Sequence, residues 1–107
     1  MRKLLILFSL LAFLSVPLLA ENAASLYNNQ CQPCHGANGD GKTPAATKMV
    51  IPDLRGPGIQ KMSDGELAQT IGNGTAHKQY PHTFLKRGLT PEQVKDLVGY
   101  IRSLRAR

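Results

Sequence analysis

The chain has 107 residues, with 13 Lys and Arg against 7 Asp and Glu, and only two cysteines. Such a length supports one small domain, and the absence of any Lys/Arg run with interleaved aromatics speaks against nucleic acid as a partner. The net charge of +6 falls by two, to +4, without Arg2 and Lys3, an excess that favours acidic partners.

The opening stretch MRKLLILFSLLAFLSVPLLA places Arg2 and Lys3 ahead of an apolar run broken by Pro17, the pattern of a secretory signal peptide. The run ends at Leu19, short of the roughly 20 residues of a membrane span, and no basic stop-transfer cluster follows. Residues 1–20 are therefore expected to be removed after Ala20, leaving residues 21–107 as the mature domain with no stable membrane span. Export to the periplasm, or otherwise out of the cell, puts both cysteines in an oxidising compartment. About 87 residues bury little apolar core of their own, so the domain needs a staple.

In the mature chain, AASLYNN predicts a brief helix with Leu26 and Tyr27 as its apolar contacts. Residues 36–58 are rich in Gly, Pro and polar side chains and read as loop. A second helix is predicted in MSDGELAQTIGNG. Ser63 and Glu66 have capping-box spacing, Met62 and Leu67 have hydrophobic-staple spacing, and Gly72 and Gly74 mark the end. Residues 75–88 hold Pro81, two histidines and no periodicity, as expected of another loop. The last helix carries the clearest signals: Thr90 as N-cap, Pro91 at the first helical position and Gln93 at the third. Behind them Val94, Leu97, Val98, Ile101 and Leu104 form an apolar stripe, and Arg102, Arg105 and Arg107 sit where the helix dipole favours cations. No strand alternation appears, so the fold class is all-α with long loops.

Both cysteines lie in CQPCH, residues 31–35. A thiol–disulfide oxidoreductase uses this cysteine spacing, but in a fold with a sheet. A structural zinc site needs four ligands, and His35, His77 and His82 come without a second cysteine pair. Covalent haem requires this order: two thiols add to the vinyl groups at one edge of the ring, and the next imidazole turns under the plane to bind iron. Cys31 and Cys34 are thus the expected thioether positions and His35 the proximal iron ligand of a single haem c. The apolar faces of the haem would also supply the missing core.

With LYNNQCQPCHGANGDGK, IPDL and LTPEQVKDLVGYIRSL in view, the whole mature chain resembles the small bacterial single-haem members of the class I c-type cytochromes. The resemblance implies three to four short helices and long loops wrapped around one haem, with the first and last helices crossing near the haem edge. Tyr27 and Tyr100 would stand near that crossing. It also implies that the Pro52 carbonyl orients the proximal imidazole, fixing its tautomer.

The sequence departs from the family in HKQYPHTFLKRGL, which contains no methionine where the family supplies its distal ligand. Aligned without gaps, His82 takes that position, and His77 is the alternative. Matching Pro81 to the family's proline would instead bring Tyr80 there, while Met49 and Met62 read as packing. Lys78, Lys86 and Arg87 flank this loop and would steer acidic redox partners toward the haem edge. The resemblance implies a one-electron carrier rather than an enzyme. The alternative is a peroxidase or small-ligand sensor with an open or displaceable distal site.

Overall fold

A computed structural model describes residues 22–75 and 82–105. The stretch expected to be a signal peptide, His77, Lys78, Tyr80, Pro81 and Arg107 lie outside the described residues. Those described form helices and turns with no strand, in keeping with the all-α expectation.

Helix α1, Ala23–Gln30, starts where the Asn22 side chain accepts a hydrogen bond from the Ser25 N–H at 2.9 Å, satisfying one of the donors a helix start leaves open. Its Leu26 and Tyr27 are buried. The chain turns at Cys31 into the single turn α2, Gln32–His35, whose early proline suits a position needing no backbone donor. A 3-10 turn, Pro44–Thr47, and the single turn α3, Pro57–Gln60, interrupt the stretch read as loop. Each begins at a proline, and four residues are too few to display a helical period, so the three to four helices expected become five among the described residues.

Helix α4, Asp64–Asn73, opens on the reciprocal capping box of Ser63 and Glu66 and stops at Gly74, which takes a left-handed φ of 76°. Helix α5, Pro91–Leu104, opens on the equivalent box of Thr90 and Gln93, and all five predicted stripe residues are buried. Both α1 and α4 pack against α5. At the α1–α5 contact the Tyr27 and Tyr100 rings lie 4.7 Å apart, centroid to centroid, where the crossing was expected.

Two local expectations change. Gly72 is not an end marker: it is buried within α4, and a Cβ there would meet Leu85 Cδ1 at 2.9 Å, so the position admits the loop that follows. Arg102 does more than face the helix dipole, because its guanidinium reaches Asp64 and the backbone oxygens of Gln60 and Met62.

Candidate functional site

The cysteine motif is pinned on two sides. Tyr27 Oη donates to the Gly36 carbonyl at 2.7 Å, and Thr43 Oγ1 donates to the Cys34 carbonyl at 2.7 Å. His35, closing α2, is left only 8% exposed and turned into the core. Gly41 ties the following loop back by donating to the His35 carbonyl at 2.8 Å. Its φ is 74°, and a Cβ there would stand 2.8 Å from the Ile51 carbonyl oxygen. Only glycine permits this approach, which brings Pro52 to the edge of the same cavity as His35.

On the other side, the loop carrying His82 hangs from the end of α4. Phe84 N–H donates to the Ile71 carbonyl at 3.2 Å and Leu85 N–H to the Gly72 carbonyl at 3.1 Å. Between His82 and this anchor, Thr83 takes φ 30°, a strained conformation for a β-branched residue. Phe84 is buried, its ring 5.6 Å from the His82 ring, with the Arg87 guanidinium 4.6 Å from its centroid. The outcome is that His35 and His82, far apart in sequence, face one space. Their ring centroids are 6.0 Å apart and the planes are inclined at 70°.

That space has two lobes. An inner cavity is walled mainly by apolar side chains, among them Leu54, Ile59, Met62, Leu67, Ile71 and Leu97. An outer one is bordered by Gln30, Cys34, Met49 and Arg87. Cys31, His35, His82 and Phe84 border both. Burial pushes the Cys31 thiol up to about 11 and raises the Tyr27 hydroxyl well above its ordinary value.

The model of the cytochrome c family matches residues 20–105. The chain belongs to the cytochrome c family. It is also similar to a solved structure described as "KustC0563 c-type cytochrome", at 30% identity and a TM-score of 0.65, over 79% of this chain and 99% of that one. No curated protein matches it. As a cytochrome c it carries covalently bound haem c, and Cys31 and Cys34 have the spacing of the attachment motif. It is a haem-based electron carrier, as members of the family generally are.

The gathered residues suit such a group, since the inner walls are apolar and imidazole is a donor that suits iron. Cys31, Cys34, His35, Pro52 and His82 all border this space, as do Met49 and Met62. Phe84 went unsingled in the sequence, although one phenylalanine in an otherwise aperiodic loop, two residues after a histidine, was the available signal. Gln60 and Thr43 gave no such signal, because their roles depend on backbone oxygens that only the fold brings near.

Proposed function

We propose that this cytochrome c is an exported one-electron carrier whose haem is attached through Cys31 and Cys34 and held by two histidines, His35 and His82. The observation that carries the reading is the 6.0 Å separation of the two imidazole centroids across one apolar cavity. A first-row metal bound to imidazole stands about 2 Å from each donor nitrogen. Adding the radii of the two rings gives a centroid separation of about 6 Å for two imidazoles sharing one metal. An inclination of 70° is no obstacle, since each ring can stand edge-on to a flat group at any rotation about the shared axis.

Haem iron supplies one-electron chemistry by cycling between the ferric and ferrous states. The protein's part is to keep the surroundings alike in both. Two fixed imidazoles leave no ligand to be exchanged, and the walls of Leu54, Leu67, Ile71 and Leu97 keep water from the centre. Pro52 at the cavity's border is the residue for orienting His35 through its carbonyl. Cys34 borders the outer lobe together with Arg87, and Arg87 with its neighbour Lys86 would speed encounters with acidic partners. Imidazole in place of a thioether lowers the reduction potential relative to members with a His/Met pair.

The deciding experiment is His82→Ala in the haem-loaded protein. The parent should show a six-coordinate low-spin spectrum without the sulfur-to-iron charge-transfer band, and the variant should become high-spin or water-ligated. His77→Ala should leave the spectrum unchanged. A sulfur band in the parent, or loss of low-spin character with His77→Ala alone, would refute the assignment. Export is read separately, from cell fractions and from a mature N-terminus at residue 21.

A further inference from the structure

Residues 54–62 build one wall of the inner cavity, contributing Leu54, Ile59 and Met62. This stretch has little regular structure, only the single turn α3. The backbone N–H bonds of residues 56–62 stay local, reaching no further than Asp53. What joins the wall to α5 is a pair of side chains. Gln60 Nε2 donates to the Leu54 carbonyl at 2.8 Å and to the Ile101 carbonyl at 3.1 Å, bridging wall and helix directly behind two cavity residues. From the helix side, Arg102 Nη1 donates to the Gln60 carbonyl at 3.0 Å, Nη2 donates to the Met62 carbonyl, and Nε donates to Asp64 Oδ1 at 3.0 Å.

The ion pair is the lesser part of this arrangement. The Asp64 side chain is 78% exposed, and water weakens such a pair. Arg102 is 25% exposed, and its two bonds to backbone oxygens are charge-assisted bonds made where water has limited access. They require the planar fork of a guanidinium, which a lysine cannot reproduce. The Gln60 amide is fixed in orientation as well, because only its nitrogen can serve two carbonyls.

We propose that Gln60 and Arg102 are positioning residues that latch the 54–62 wall onto α5 and so set the reduction potential of the haem by keeping the inner cavity dry. The inference rests on this cavity being the haem site. Loosening the latch lets the wall part from α5 and admits water beside the iron. Water stabilises the more highly charged oxidised form, so the potential falls.

The test uses the haem-loaded protein with Gln60→Ala and Arg102→Lys. The second retains the positive charge, so a lower potential in it cannot be laid to lost charge. Midpoint potentials are measured by redox titration, and amide exchange is followed in residues 54–62 with α1 as the internal reference. Both variants should have a lower potential than the parent, and exchange in residues 59–62 should rise about tenfold, the consequence of losing charge-assisted or bridging hydrogen bonds. Exchange in α1 and the ligation spectrum should be unchanged. The proposal is overturned if the wall exchanges faster while the potential stays put, or if exchange rises equally throughout the fold. It is also overturned if neither quantity moves. The exchange arm reports on the latch without reference to the axial ligands, and the potentials are differences from the parent. Failure of the His82 assignment, seen in the His82→Ala spectrum, is therefore a separate outcome.

Discussion

Replacing Gly72 with alanine tests whether the loop carrying His82 depends on its close contact with α4. The added methyl would meet Leu85 Cδ1 at 2.9 Å and Cγ at 3.0 Å, while the backbone at the same place is held by the Leu85 N–H to Gly72 carbonyl bond at 3.1 Å. Leu85 can yield only by moving its side chain or drawing the loop away. Overpacking of this kind costs about 1–3 kcal/mol. Against it stands the helix preference of alanine over glycine, about 1 kcal/mol. The net expectation is a destabilisation of about 0–2 kcal/mol, in place of the gain that an exposed helical position would give. Because the contact lies three residues beyond His82, the visible spectrum should gain a high-spin fraction. Urea unfolding of the haem-loaded protein, followed by circular dichroism, measures the first effect. Pairing the change with Leu85→Ala removes the clash, so the double-mutant cycle should show a coupling of about 1 kcal/mol or more. A more stable Gly72→Ala protein with an unchanged spectrum and an additive cycle would refute the reasoning.

The remaining predictions are briefer. Cys34→Ser should leave haem that acid–acetone extraction partly or wholly removes, whereas the parent retains it, as absorbance of the two phases reports. Thr90→Ala removes the N-cap of α5 and should cost about 1 kcal/mol in urea unfolding, with the haem spectrum unchanged. Glu66 is held below its ordinary 4.5 by the Ser63 backbone and hydroxyl. Its stabilisation is therefore present above pH 4.5 and lost as pH falls through the lower folded value. The melting temperature of Glu66→Gln should accordingly decline less on acidification below pH 4.5 than the parent's. Electron transfer to an acidic redox protein should slow as salt rises, and Lys78→Gln with Lys86→Gln should flatten that dependence in stopped-flow measurements without altering the spectrum.

Much of the fold could be read in advance where local chemistry sets it. The boxes at Ser63–Glu66 and Thr90–Gln93 are four-residue patterns, and the α5 stripe is one helical face, so each is visible without knowledge of neighbours. The same holds for Cys31, Cys34 and His35, which lie within five residues. Gly72 was misread because its meaning depends on Leu85, and Arg102 was read only in part because its partners are some 40 residues away. His82 could be named as a candidate only by alignment with a family phrase from which the sequence departs. The sequence of its loop has no period, and what holds it is backbone bonding to Ile71 and Gly72. Pattern reading fails at such points because carbonyl oxygens are the same at every residue, and only the fold selects which of them is used.

The closure of α1 on α5 also bears on the order in which the molecule is assembled. Tyr27 and Leu104 are fully buried where the two ends of the domain meet, and Leu97 and Ile101 of the last helix border the inner cavity. The chamber therefore does not exist until residues 91–104 have returned to residues 23–30. Cys31 keeps partial exposure in the closed fold, at the border of the inner and outer lobes. The inner cavity is therefore a product of the closure of α1 on α5 and not of the stretch that carries the cysteines alone.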